Sequence, residues 1–206
     1  MADTEELGLF ALGIVLLPTE RVPLHVFEPR YTELIGESLE AEREFGLILG
    51  SDAGVAEIGT RAHIVEVLEE LPDGRLNVLV EGGERFRVVE LTEGRSFRTA
   101  AVEAVEDEAD SSPAEEAEKA LSRYRKLAEM AGAEPDEPDA ASPILSFELA
   151  ARVEFGAEEK QELLGMRSEP ARLTRVTRLL EQAAVAVELR KEVGERASRN
   201  GRVSHS

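Results

Sequence analysis

The sequence predicts an α+β protein in which a compact β-barrel is followed by a bundle of α-helices. Three observations carry this. Apolar residues tend to alternate before residue 103 and recur every three or four positions after residue 118, a change from the period of strands to that of helices. Between the two halves, Glu103 to Glu118 holds eight carboxylates and no base, which reads as a solvated connector. A Pro72-Asp73-Gly74 corner lies between two apolar runs and has the chemistry of a hairpin turn. The boundaries that follow are a barrel over 7–105, a helical bundle over 112–193 and a flexible tail over 194–206.

Taken in order, Val22–Phe27 and Phe45–Leu49 read as short strands, and Arg30–Glu40 between them as a helix with Tyr31, Leu34, Ile35 and Leu39 on one face. Arg61–Leu71 and the alternating Leu76, Val78 and Val80 form the arms of the hairpin. Gly82-Gly83 is expected to punctuate the chain before Phe86, Val88 and Glu90 begin the next strand. Glu93-Gly94 makes a turn, and Phe97, Thr99 and Ala101 keep the period of two. Several short strands at this spacing suggest a barrel, because closure removes exposed sheet edges.

In the second half, Ser112-Pro113-Ala114-Glu115 has the spacing of a capping box with proline at the first helical position. Ala117, Leu121, Tyr124, Ala128 and Ala131 line one face of that helix, and Gly132 is its stop. A loop over 133–141, rich in proline and acid, precedes a helix from Ser142-Pro143 to about Val153 and a short one over Ala157–Leu164. The last helix starts near Ser168 and carries the seam Leu173, Val176, Leu180, Ala183 and Val187, assigned to intramolecular core with self-association as the alternative.

Composition excludes several function classes. With no cysteine there is no disulfide framework, thiolate metal site or cysteine nucleophile. A formal charge of −19 and an aromatic content of 4% disfavour nucleic acid, anionic membranes and base-stacking platforms as partners. The acid is uneven, since residues 1–166 carry a net −23 and residues 167–206 a net +4. Leu7–Leu17 is too short for a membrane span, and the acidic start is the wrong sign for a signal peptide, so a cytoplasmic protein is expected.

Catalytic signatures are missing as well. There is no Gly-x-x-x-x-Gly-Lys-[Ser/Thr] loop, Gly-x-Gly-x-x-Gly turn or Gly-x-Ser-x-Gly elbow. The acids lack EF-hand spacing. His25, His63 and His205 are too scattered for a ligand set, and His63 reads as a half-buried strand residue. Lys119, Lys126, Lys160 and Lys191 are all assigned to solvated faces, leaving no desolvated lysine for a Ser–Lys dyad. No catalytic residue, cofactor or metal is expected.

The string Leu9 to Pro18, then Val22-Pro23-Leu24-His25-Val26-Phe27-Glu28-Pro29-Arg30-Tyr31, resembles the Lon protease N-terminal, substrate-binding domain family. So do Ile58-Gly59-Thr60-Arg61-Ala62, Leu71-Pro72-Asp73-Gly74-Arg75, Val78-Leu79-Val80-Glu81-Gly82 and Glu159-Lys160-Gln161-Glu162-Leu163-Leu164. Six stretches in the same order cover about residues 7–190, with Ala11 standing where the family usually has proline. The resemblance implies a PUA-like β pseudo-barrel followed by a helical bundle, and a polypeptide-binding function directed at unfolded or damaged chains. Lon continues into an AAA+ ATPase and a Ser–Lys protease with no counterpart in these 206 residues, so binding without catalysis is expected, with an adaptor role toward a separate protease. A small-molecule or nucleic-acid module is the alternative, because other PUA-like barrels do this.

Within the resemblance, Phe27, Glu28, Arg30 and Tyr31 are the candidate substrate-binding residues. They would form the lip of a peptide groove, with Phe27 and Tyr31 as apolar anchors and Arg30 taking a carbonyl or carboxylate. Their scaffold reading is a helix start, with Pro29 presetting φ, Glu28 serving exposed N–H groups and the two rings packing.

Overall fold

A computed structural model of the protein describes residues 4–51, 54–92 and 94–200, with side chains through Lys191. Its elements are β1 (Glu5–Leu12), β2 (Arg21–Val26), α1 (Pro29–Ala41), β3 (Phe45–Ser51), β4 (Gly54–Val55), β5 (Ile58–Glu70), β6 (Leu76–Thr92), β7 (Arg98–Ala104), α2 (Ala114–Ala131), α3 (Leu145–Ala150), α4 (Ala157–Gly165) and α5 (Glu169–Asn200). They divide into two compact units. One comprises residues up to Ala109 together with Ala150–Ser168, the other Asp110–Leu149 with the helix from Glu169 onward.

The first unit is a barrel with an appended sheet. Antiparallel pairing runs from β1 through β7, β6 and β5 to β3, and β1 returns to β3 in parallel with Leu9 opposite Gly46. That last pairing closes the ring. On β1 the alternation of the pleat sends Leu7 and Leu9 to a cluster around Phe86 and sends Phe10 to a second cluster with Tyr31, Leu34, Ile35 and Phe45. Ala11 continues the strand opposite Ile48, so no proline bend is required there.

Gly82-Gly83 does not punctuate the chain: β6 runs unbroken for 17 residues. Gly82 is there for close approach instead. A Cβ on it would lie 2.1 Å from the Leu17 carbonyl oxygen, while its own carbonyl accepts from Thr19 N (2.7 Å) and its N–H donates to Glu20 O (2.9 Å). Gly59 has the same role, since a Cβ would meet Phe86 and the Leu47 carbonyl at 2.6 and 2.7 Å. Beside it, Thr60 Oγ1 donates to Leu16 O at 2.6 Å.

Residues 150–168, which the sequence places in the helical bundle, belong to the barrel unit. Polar groups of α4 and its flanks find their partners there. Buried Arg85 of β6 donates to the carbonyls of Leu164 (2.7 Å) and Met166 (2.9 Å) and pairs with Asp107. Gln161 Nε2 donates to Ile58 O at 3.0 Å. Lys160, expected on a solvated face, is an ion-pair partner of buried Glu20, whose other oxygen accepts Leu17 N at 2.9 Å. Replacing Lys160 by methionine leaves that carboxylate half satisfied and is expected to lower unfolding free energy by about 2 kcal/mol, less than a fully dry pair loses. Urea titration measures this, and a loss below about 0.5 kcal/mol, the level of exposed pairs, would show the pair to be solvated.

In the second unit α2 packs along α5, with Ala117, Ala120, Leu121, Tyr124 and Leu127 facing Leu173, Val176 and Leu180. The first three residues of the predicted seam are thus core, whereas Ala183 and Val187 are half-buried. The capping box is not formed. Pro113 is the N-cap with no side-chain hydrogen bond, and Ser112 Oγ is buried without a partner. Starting the helix at Ala114 moves Glu115 to the second helical position, out of reach of the box, where it still opposes the helix dipole. The last helix continues to Asn200, beyond the expected start of the tail at 194; the rest of that predicted tail lies outside the described residues.

A charged cluster is sealed in this unit. Glu169, at the first position of α5, accepts Ser146 N (2.9 Å) and Ser146 Oγ (2.6 Å), and Arg172 one turn on donates to Glu169 (2.6 Å) and Ser146 Oγ (2.7 Å). The guanidinium lies 3.9 Å from the Phe147 ring centroid. Arg172 and Ser146 are fully buried and Glu169 nearly so. Burial pushes the Glu169 carboxyl above its ordinary value, although Ser146 and Arg172 pull it down.

Candidate functional site

All of β2, the first part of β6 and the second half of β5 form a three-stranded sheet whose order is set by register. His25 lies opposite Asn77, and Asn77 opposite Glu69; Pro23, Leu79 and Glu66 form the next row, and Arg21, Glu81 and His63 the one after. Because side chains alternate, these rows share one face, while Leu24, Val26, Leu76, Val78 and Val80 fill the core on the other. The outer face is therefore built by the same alternation that builds the core.

A polar ladder crosses that face. Asn77 Nδ2 donates to Glu69 Oε2 at 2.8 Å, and Asn77 Oδ1 lies 2.6 Å from His25 Nδ1. The carboxylate fixes which way the amide points, so its oxygen faces the imidazole and Nδ1 carries the proton. Arg21 and Glu81 pair two rows away. His63 is exposed on this face, not half-buried.

Around the ladder the surface is apolar. Phe27 is 60% exposed and its ring stacks on His25 with centroids 5.7 Å apart. Leu68 and Val65 are 48% and 40% exposed, while Val67, 42% exposed, lies opposite core Val78 on the other side of the sheet. Pro23, Leu24, His25, Leu68, Glu69 and Asn77 line a trough of about 530 Å³. Exposed large side chains gathered on one face mark an interaction surface, whereas scattered ones need no explanation.

Of the four candidate residues, three are at the surface and one is not. Phe27 is exposed beside the trough, its ring stacked on His25. Glu28 is the N-cap of α1 but makes no capping bond; it pairs with Arg30 at 2.7 Å. Neither charge is therefore idle in the unbound protein. Tyr31 is buried, its ring 4.0 Å from Phe10 and its hydroxyl donating to Ala11 O at 3.0 Å. As an anchor for a ligand it is out of reach, and Arg30 covers its ring at 4.5 Å. Pro23, Leu68, Leu79 and Val65 join the face without having been singled out in the sequence.

A larger cleft of about 740 Å³ opens elsewhere on the barrel unit, lined by Glu5, Glu6, Glu37, Glu40, Glu44, Arg43, Arg61 and Arg95 among others. Arg61 pairs with Glu5 at 2.9 Å and Arg95 with Glu37, so its arginines are largely spent on its own acids. No serine, histidine or lysine poised for catalysis lines the trough or this cleft beyond His25, which the ladder engages. Among the described residues no group of three His, Asp or Glu side chains is placed to hold a metal, and no helix is long and apolar enough to cross a membrane.

Comparison with known proteins adds a family. The profile described as the ATP-dependent protease La (LON) substrate-binding domain matches residues 6–182. The chain is 27% identical over 201 residues to a Lon protease of Solibacter usitatus and 27% identical over 212 residues to one of Brucella abortus. These alignments cover 87% and 93% of this chain but 24% and 26% of those proteins, so it spans about a quarter of their length. A crystal structure of a Lon N-terminal domain protein from Xanthomonas campestris is similar with a TM-score of 0.67 at 26% identity, over 84% of this chain and 96% of that one. The N-terminal domain of Mycobacterium avium complex Lon protease shares the fold, with a TM-score of 0.60 at 15% identity over 88% and 98% of the two chains.

Proposed function

The chain belongs to the Lon substrate-binding domain family, and from that premise we propose that it captures unfolded or damaged polypeptides on the outer face of the β2–β6–β5 sheet, without chemistry of its own. The observation that carries this reading is the exposed Phe27 standing over His25 beside Pro23 and Leu68. Folded proteins bury such side chains, so a surface that offers apolar contacts selects chains that have failed to. Each apolar side chain it covers gains about 1.5–3 kcal/mol from leaving water, before the cost of ordering a flexible segment is subtracted. Two or three such contacts give binding that is weak and reversible, as delivery to a separate protease in the cytoplasm requires.

Phe27→Asp removes the most exposed ring of this face while touching no core cluster. Binding of a permanently unfolded polypeptide, followed by fluorescence anisotropy, is expected to weaken about tenfold or more. Tyr31→Phe is the contrasting variant. It is expected to leave binding unchanged and to cost about 1 kcal/mol of stability through the lost bond to Ala11 O. Equal affinity for wild type and Phe27→Asp would remove the face from the proposal.

A further inference from the structure

Beyond the outer face, the sheet leaves an edge open. β5 pairs with β3 only where Leu47, Gly46 and Phe45 oppose Thr60, Arg61 and Ala62. From His63 to Glu70 it pairs with β6 alone, and β2 occupies the other side of β6. The outward N–H and C=O groups of β5 over this stretch therefore have no strand partner among the described residues.

Such edges invite pairing, and proteins blunt them with proline, charge or bulges. The opposite edge, β2, carries Pro23 in its middle. β5 has no proline. Over 63–70 it has two bulges, between Ile64 and Glu66 and between Val67 and Glu69, which set the apolar Val65 and Leu68 outside the regular ladder, where they are exposed. It also has three carboxylates. Glu69 accepts Asn77, whereas Glu66 and Glu70 are exposed and make no ion pair among the described residues. No lysine or arginine lies between Ala62 and Gly74 to answer them. The edge thus repels an acidic chain, including a second copy at −19, and attracts a cationic one. The bulges limit the regular ladder to a short stretch, which suits a brief, releasable contact.

Resting on the polypeptide-capture reading, we propose that the β5 edge from His63 to Glu70 takes up a short extended segment rich in apolar and basic residues as an added strand. Main-chain bonds supply sequence-tolerant affinity, Val65, Val67 and Leu68 favour apolar side chains, and Glu66 and Glu70 favour lysine or arginine over acid. Substrates would accordingly be sorted by charge as well as by exposed apolar surface.

The probe is an unstructured peptide of alternating valine and lysine, compared with its valine–glutamate counterpart and with a copy N-methylated at alternate residues. Amide hydrogen exchange is expected to slow across 63–70 when the Val/Lys peptide is added. Its affinity is expected to exceed that of the Val/Glu peptide by about tenfold, and the N-methylated copy to lose at least that much. Glu66→Lys combined with Glu70→Lys, both at exposed positions, should reverse the preference. Binding of the Val/Lys peptide with unchanged exchange over 63–70, or without sensitivity to N-methylation, would overturn strand addition and leave capture on the outer face standing. Failure of every unfolded polypeptide to bind would overturn both.

Discussion

Replacing Arg172 by methionine is expected to lower unfolding free energy by about 3–5 kcal/mol at neutral pH, because it leaves a buried carboxylate without its cation. Glu169 is 3% exposed and Arg172 0% exposed, so water cannot replace the lost partner. In the variant nothing offsets the missing Arg172, so burial pushes the folded-state Glu169 carboxyl further above its ordinary value of 4.5, at which the unfolded chain ionises. The folded state then binds one more proton, so stability falls as pH rises above 4.5, by about 1.4 kcal/mol per pH unit until the buried group ionises. The loss should thus be markedly smaller at pH 5 than at pH 7.5.

The same sign holds more weakly in the unmodified protein. Burial already raises the folded-state value of Glu169 against Arg172 and Ser146, so its contribution is most favourable at low pH and declines through the window above 4.5. Denaturant titrations at several pH values, against Glu169→Gln as the non-titrating reference, separate this one group from the other acids. A paired change, Arg172→Met with Glu169→Leu, should lose less than the sum of the single losses, since an apolar pair strands no charge. Ser146 still loses its acceptor, so recovery stops short of wild type. A destabilisation by Arg172→Met that is flat with pH would refute the buried-ion account.

That cluster shows where sequence reading stops. Glu169 and Arg172 stand three apart on one helix, a spacing that usually describes a solvated pair, and arginine is rarely buried. Nothing local marks Ser146, 23 residues upstream, as their third member. The barrel and the helices were legible because periodicity is local: Leu24 and Val26 point inward, which sends Pro23, His25 and Phe27 outward. The row joining His25 to Asn77 and Glu69 was not, because it depends on the register of three strands. Within the candidate site, the motif marks Phe27 and no motif marks Leu68. A second clue lies in the run Ile64, Val65, Val67 and Leu68, more apolar residues than a half-buried strand can place inside, and bulges are what let Val65 and Leu68 leave the regular ladder. Tyr31 stands out in the sequence by its ring, and only the packing on Phe10 tells that the ring is spent on the core.

Gly82→Ala is the second large effect, and it turns on a glycine pair that reads as a chain break. The added methyl would sit 2.1 Å from Leu17 O, far inside contact distance and against backbone that cannot rotate aside. Moving the loop away breaks the bonds from Thr19 N to Gly82 O and from Gly82 N to Glu20 O, worth about 1 kcal/mol each. Overpacking adds about 1–3 kcal/mol, for a total loss of about 3–5 kcal/mol. The disturbance also reaches Glu20 and so Lys160, the point at which α4 is fastened to the barrel. Gly83 supplies the control, since a Cβ there would meet Glu44 Oε1 at 3.4 Å and Arg61 O at 3.6 Å, ordinary contacts. Gly83→Ala is therefore expected to change stability by less than about 1 kcal/mol, with a gain from the stiffer unfolded chain as the favourable limit. If thermal or urea unfolding finds the two variants alike, close approach is not what holds glycine at 82. If only Gly82→Ala falls, the pair is a junction between strand and loop, with one residue fixed by contact and its neighbour free to vary.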